Sequence, residues 1–298
     1  MAKEKQKPAK KKKKGGFSTF ILIVLFLVGA AVLAYPTVSD WWNSMHTSRA
    51  IASYVEAVED LSAKEREEMI QAAREYNERL AKTGVHFMAA ESEIAEYYSL
   101  LDITGTGIMG YIQIPSINVN LPIYHGTGEE VLQIAVGHLE GTSLPVGGEN
   151  THAALSGHRG LPSATLFTHL DRIVEGDTFT ITVYGEVMTY QVDQIRIVLP
   201  AEVQDLTIEP GEDHVTLITC TPYGVNTHRM LVRGRRIETL AGDVTVEHDA
   251  VKIPTYTVML AVGIPLLFIV QAFILLVYGR KKPGKSYQEM LDEFKKQP

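Results

Sequence analysis

Between Gly105 and Ile237 the apolar residues come in short runs, broken every few positions by Gly, Pro, Asn or Asp. The runs are "GIMGYIQIPSINVNLPIYHG", "VLQIAVG", "THAALSG", "TFTITVYG", "VMTYQVDQIRIVLP", "HVTLITC" and "HRMLVRGRRI". Alternation over a few residues with turn formers at each end is the strand signature, and roughly eight such segments without a long intervening helix predict an antiparallel barrel or sandwich. The stretch "LPSATLFTHLDRI" is expected to form a short helix over one end. Residues 105–238 are therefore read as one mainly β domain.

Upstream, from Val38 to about Leu101, the period changes to that of a helix. Ser62 with Glu65 three residues later is a capping-box signature. Met69, Ala73, Tyr76 and Leu80 then recur at helical spacing as a packing stripe, and "ESEIAEYYSLL" (Glu91–Leu101) predicts a further short helix. Residues 36–104 thus form a helical extension to the β domain.

The two ends carry a third pattern. Phe17–Tyr35 is 19 residues without a charge, and Tyr256–Gly279 is 24. A helix of about 20 apolar residues crosses the hydrocarbon of a bilayer. Eight lysines stand among residues 1–16, and Arg280, Lys281 and Lys282 follow the second stretch at once. Basic residues outside both stretches place both termini in the cytoplasm and Pro36–Pro254 on the other side. The alternative for the first stretch is a cleaved signal peptide, with Val32 and Ala34 before the cut; its length favours an anchor. Residues 239–255 read as a linker and 280–298 as a cytoplasmic tail.

This partition changes the meaning of the net charge of −7. Of the 28 basic residues 14 lie in the two tails, with only four acidic ones, so the segment between the spans has 14 basic and 31 acidic residues, a net of −17. Such a domain repels nucleic acid. The N-terminal lysines read as a topology signal and a tether to anionic lipid.

Cys220 is the only cysteine, and on the outer side of a membrane it has no internal disulfide partner. It ends "HVTLITC", the turn-rich "TPYGVNT" follows, and "HRMLVRGRRI" resumes a strand, so a short hairpin sets Cys220 opposite Arg229. A thiol of pKa about 8.5 is only a few per cent thiolate at pH 7, and a nearby cation raises that fraction. For a base, His158 in "ALSGHRGLP" is the leading candidate of ten histidines, because it ends an apolar strand at a Gly-rich corner. His152 and His214 lie near strand starts, His228 points to the face opposite Arg229, and the others are placed in helices or loops. On these grounds alone an inert core cysteine in a membrane-anchored β-barrel binding module remains the competing, non-enzymatic reading.

Three segments in order resemble those of the sortases, cysteine transpeptidases of the outer face of Gram-positive bacteria. "TLITC" matches the TLxTC signature, "THAALSGHRGLP" is similar to the segment of the catalytic histidine, and "TPYGVNTHRMLVRG" to that of the catalytic arginine. By position the resemblance makes Cys220 the nucleophile, His158 the acid/base and Arg229 the oxyanion-binding group. It implies an eight-stranded sortase-type β-barrel, no metal or organic cofactor, and pilin or surface-protein substrates with LPxTG-like sorting signals.

The helical extension, the second span and the wording "GYIQIP…HRGLP…TPYGVNTHR" look like the pilin-polymerising class C sortases. Attachment of surface proteins to a cell-wall precursor is the other enzymatic reading. Class C enzymes carry a lid with an Asp-Pro-aromatic motif, which this chain lacks. Gly84–Glu93 occupies its place, with Phe87 or His86 as substitutes, and "LLDITGTG" keeps Asp102 without the proline.

Overall fold

The structure, a computed structural model, describes residues 16–85 and 91–239. The second apolar stretch, residues 1–15 and 280–298, and the candidate lid residues His86 and Phe87 lie outside the described residues. The β domain is a closed barrel of eight strands, β1 (Ile108–Ile114), β2 (Val119–His125), β3 (Val136–His138), β4 (Thr151–Ser156), β5 (Thr178–Val183), β6 (Glu186–Val198), β7 (Asp213–Thr221) and β8 (His228–Ile237). Their order around the barrel is β1-β2-β3-β4-β7-β8-β6-β5.

The sheet is mixed rather than antiparallel throughout. β2 pairs with β3 and β4 with β7 in parallel, while the other ladders are antiparallel. The parallel β4–β7 pair is closed by a crossover that contains β5 and β6, a long-range arrangement that no local turn signal announces. Inward side chains such as Ile112, Ile123, Leu155, Phe179, Ile181, Leu217 and Val232 are fully buried and form the barrel core. A second, smaller cluster of Ala154, Leu206, Ile218 and Leu231 lies on the opposite face of β4, β7 and β8. Strand alternation dictates that split, since Leu217 and Ile218 must point to opposite sides.

The expected short helix after the histidine corner is reduced to a single 3-10 turn at Leu170–Arg172, and a four-residue helix α4 (Glu129–Leu132) follows β2. Two histidines placed in helices or loops by sequence instead end strands, His125 closing β2 and His138 closing β3.

Among the described residues three helices precede the barrel: α1 (Gly16–Glu59), α2 (Ala63–Thr83) and α3 (Glu91–Ser99). α1 runs through Pro36 without a break, so no helix end marks the boundary expected after Tyr35. From Val24 it is long and apolar enough to cross a membrane. Its later part packs on the barrel through Tyr54, whose hydroxyl donates to the Met109 carbonyl at 2.9 Å and accepts from the Tyr184 amide at 2.8 Å.

α2 begins with the capping box of Ser62 and Glu65, the Glu65 amide donating to Ser62 Oγ and the Ser62 amide to Glu65 Oε2. Its buried face is Ile70, Ala73, Asn77 and Leu80, with Tyr76 half-buried against the core, so the expected stripe holds at Ala73, Tyr76 and Leu80 and fails at Met69. Asn77 is the unexpected member of that face. Its side-chain amide donates to the Leu144 carbonyl at 3.0 Å and its oxygen accepts from the Leu144 amide at 2.7 Å, completing a backbone-like pair inside the protein. A buried amide satisfied on both sides turns that position inward, and Met69 is left exposed.

Candidate functional site

The hairpin expected from sequence is present. β7 and β8 pair with Cys220 directly opposite Arg229, Ile218 opposite Leu231 and Thr216 opposite Arg233. These residues share the outer face of the barrel, on which the small apolar cluster sits. Cys220 is partly exposed and unbridged. Arg229 folds toward its own turn, Nη1 donating to the carbonyls of Asn226 at 3.3 Å and His228 at 3.2 Å.

His158 arrives from the neighbouring strand. In the parallel β4–β7 pair Ser156 is level with Ile218, where β4 ends, so His158 lies two residues beyond the ladder on the side where β7 continues to Cys220. Three hydrogen bonds define the corner. The Gly157 amide donates to Ile218 O at 3.0 Å, Thr219 Oγ1 donates to Gly157 O at 2.8 Å, and the Phe167 amide donates to His158 O at 3.1 Å. A side chain at Gly157 would place Cβ 2.6 Å from the Phe167 ring, so glycine is what lets the loop close over the strand end. The His158 side chain remains about a quarter exposed, with Nε2 4.0 Å from Glu129 Oε2 at the start of α4. Among the described residues no hydrogen bond joins the imidazole to the thiol.

A cavity of about 240 Å³ leads to Arg229 along this outer face. Its floor is Ile218 and Leu231, and its walls include Leu132, Leu139, Val198 and Leu206. The wall formed by residues 199–212 is pinned to the barrel at several points. His152 Nδ1 donates to the Thr207 carbonyl at 2.8 Å, because a carbonyl can only accept, and Nε2 then accepts from Thr216 Oγ1 at 2.8 Å. Burial pulls the His152 pKa down to about 4 and holds the ring neutral. Arg233 grips Asp193 through two N–H groups, at 3.1 and 2.8 Å, and Glu209 through a third at 2.8 Å. His152 and Arg233 are thus parts of the scaffold of the groove, a role no local sequence signal marks.

The three residues singled out by sequence therefore converge on one edge of the barrel, while the two candidate lid residues lie outside the described region. Residue type alone gave no sign of Glu129 and Arg159, which join the site only through the fold. Among the described residues there is no group of three or more His, Cys, Asp or Glu that could hold a metal ion. A thiol beside a histidine and a fixed guanidinium, at the end of an apolar groove, can carry out nucleophilic acyl transfer on an extended peptide.

The comparisons agree with this geometry. A family model described as "Sortase domain" matches residues 112–237. Sortase A of Streptococcus agalactiae serotype III (strain NEM316) is 33% identical over 117 residues, 38% of this chain and 47% of that protein. The crystal structure of sortase C1 from Streptococcus agalactiae matches with a TM-score of 0.64 and 51% identity, covering 64% of this chain and all of that one. A Streptococcus pneumoniae sortase C structure, whose title concerns catalysis and pilin substrate specificity, matches at 42% identity and a TM-score of 0.57, covering 64% of this chain and 97% of that one.

The outer-face thiol and the eight-stranded barrel thus define a sortase-type domain. The chain belongs to the sortase family, and its structural likeness at about half identity is to class C members. The chain spans 47% and 63% of the length of the first two curated relatives it matches, sortase A of Streptococcus agalactiae and sortase D of Bacillus subtilis.

Proposed function

We propose that the protein is a membrane-anchored cysteine transpeptidase. Its substrate is an LPxTG-like sorting signal, and its acceptor a lysine amine of a pilin subunit. The Cys220 thiolate attacks the threonine carbonyl, forming a C–S bond. Arg229 donates hydrogen bonds to the oxyanion of the tetrahedral intermediate. As that intermediate collapses, the C–N bond to glycine breaks and protonated His158 gives its proton to the departing amine. The lysine amine then attacks the thioester carbonyl and His158 removes its proton. The C–S bond breaks, the thiolate is restored, and an isopeptide bond joins the two proteins. No step requires a metal or an organic cofactor.

The observation that carries this reading is the convergence of two registers, Ser156 level with Ile218 in the parallel pair and Cys220 facing Arg229 in the hairpin. The apolar groove running to Arg229 fits an extended Leu-Pro segment, and the likeness to class C structures, one titled for pilin specificity, favours pilus assembly over wall attachment. The acidic segment between the apolar stretches argues for protein substrates rather than nucleic acid. Anchoring by two spans with both termini cytoplasmic belongs to the proposal, as do the domain boundaries and the lipid tether. Membrane confinement raises the effective concentration of tethered substrates, so a modest groove affinity suffices.

The test is a reaction of the detergent-solubilised full chain with an LPxTG-like peptide and a lysine-bearing pilin peptide, read by mass spectrometry. The expected product is the isopeptide conjugate, with a thioacyl adduct on Cys220 when the acceptor is omitted. Preferential transfer to a cell-wall-type amine would replace the pilus reading by the anchoring one. No adduct with any sorting-signal peptide would reject the acyl-transfer reading.

A further inference from the structure

Arg159 directly follows the histidine to which proton transfer is assigned. Its side chain is only a tenth exposed, and it reaches across to the other half of the site. Nη2 donates to Asp171 Oδ2 at 2.6 Å, on the 3-10 turn beyond the histidine loop, and Nη1 donates to Thr221 Oγ1 at 3.4 Å. Thr221 is the residue after the nucleophile. The guanidinium carbon also lies 5.8 Å from the centroid of the Tyr223 ring, two residues further along the same turn. That ring lies against Gly160 as well, where a Cβ would come within 2.9 Å of it and φ is +78°. Arg159 Nε is buried without a hydrogen-bond partner, so the side chain is held here despite an incompletely satisfied head.

We propose that Arg159 is a positioning residue that fixes the separation between His158 and Cys220. It ties the chain just after His158 to the chain just after Cys220, on the far side of both residues from the strand ladder. Behind them, the Gly157 hydrogen bonds to Ile218 and Thr219 hold the two chains together. Between these two fastenings neither residue can move independently of the other. The planar fork of arginine suits the task, because one group reaches a carboxylate and a hydroxyl while offering its face to an aromatic ring. The groove walls are fastened elsewhere, by His152 and Arg233, so Arg159 acts on the proton-transfer geometry and leaves peptide binding alone.

This inference rests on the acyl-transfer reading, and its test separates the two. Steady-state kinetics with an LPxTG-like peptide and a lysine acceptor, and the pH dependence of Cys220 alkylation by iodoacetamide, are measured on the full chain. The variants are Arg159→Met, Arg159→Lys and Tyr223→Leu, with Cys220→Ala and His158→Ala as controls. Misplacing a catalytic pair by an ångström costs on the order of a hundredfold, so Arg159→Met is expected to lower kcat at least about tenfold with little change in KM. Arg159→Lys should recover part of that loss, since an ammonium reaches one partner but not both. The limb of the alkylation profile that disappears in His158→Ala should move in Arg159→Met. Tyr223 is exposed, so its leucine variant stays folded and should show a smaller loss of the same kind.

A wild-type kcat and an unmoved alkylation profile in Arg159→Met would overturn the proposal. So would a loss of activity matched by a loss of folded protein, with Tyr223→Leu at wild-type kcat. If Cys220→Ala or His158→Ala still turns over, the acyl-transfer reading itself falls, whatever Arg159 does.

Discussion

Cys220 and Arg229 are direct partners in the β7–β8 ladder, so the thiol and the guanidinium start from neighbouring backbone positions on one face of one hairpin. Their relation is set by the strand register, and a slip of one residue would send either side chain to the barrel interior. Arg229 is steadied further by the turn carbonyls of Asn226 and His228.

Arg229→Lys should therefore fail despite keeping the charge. The ammonium cannot bond the turn and an oxyanion with the same planar geometry. Loss of one oxyanion donor costs about a hundredfold to a thousandfold in kcat. Steady-state kinetics on a sorting-signal peptide would show it, and a lysine variant within a few-fold of wild type would mean that simple charge is enough.

Cys220→Ala should abolish the thioacyl adduct while leaving the domain folded. The side chain is partly exposed and outside both apolar clusters, so the stability change is expected to stay within about 1 kcal/mol. Mass spectrometry and thermal melting of the same sample separate the two effects. Covalent product from this variant would remove the mechanism.

Gly157→Ala is expected to disturb the histidine corner. The added Cβ would sit 2.6 Å from the Phe167 ring, and overpacking of this kind costs about 1–3 kcal/mol. Combining it with Phe167→Leu should restore part of both stability and activity, because the ring edge is removed. Denaturant titrations of the single and double variants check this; a double variant no better than the sum of the singles would place the strain elsewhere.

Acid should destabilise the fold through two histidines outside the proposed chemistry. Burial is the largest cause in each case, and it pulls His138 and His152 from 6.5 down to about 4. The unfolded chain gains a proton on each near pH 6.5 while the folded chain does not. Stability present above that pH is therefore lost as pH falls from 6.5 toward 4. A pKa difference of one is worth about 1.4 kcal/mol, which makes the pair worth several kcal/mol as an upper bound. Urea midpoints at pH 7 and pH 5 measure the loss, and His138→Gln should reduce the slope. A midpoint independent of pH across this window would contradict it.

What the sequence made legible was local. Period-two alternation, a turn-rich loop and the spacing of Cys220 and Arg229 were enough to predict their pairing, because a short loop between two strands brings the end of one beside the start of the next. The Gly-rich corner at His158 was legible because glycines punctuate the end of an apolar strand. The parallel pairing of β4 with β7 was not, since its partners are separated by two further strands and no turn residue encodes the crossover. The inward face of α2 was legible at Ala73, Tyr76 and Leu80 but not at Asn77, a polar residue buried by pairing with Leu144. His152 and Arg233 gave no signal as groove fastenings, because each acts through a distant backbone or carboxylate.

The parallel β4–β7 pair delivers His158 and Cys220 to the same rim, and the chain between them forms other parts of the barrel before reaching the wall at residues 199–212. The groups proposed to react sit at strand ends, while part of the lining of the apolar groove sits on a loop of its own. Substitutions or insertions in that loop can change which signal is accepted without displacing the atoms that make and break bonds. A domain divided in this way can acquire new clients by altering one segment, and its chemistry need not be reinvented each time.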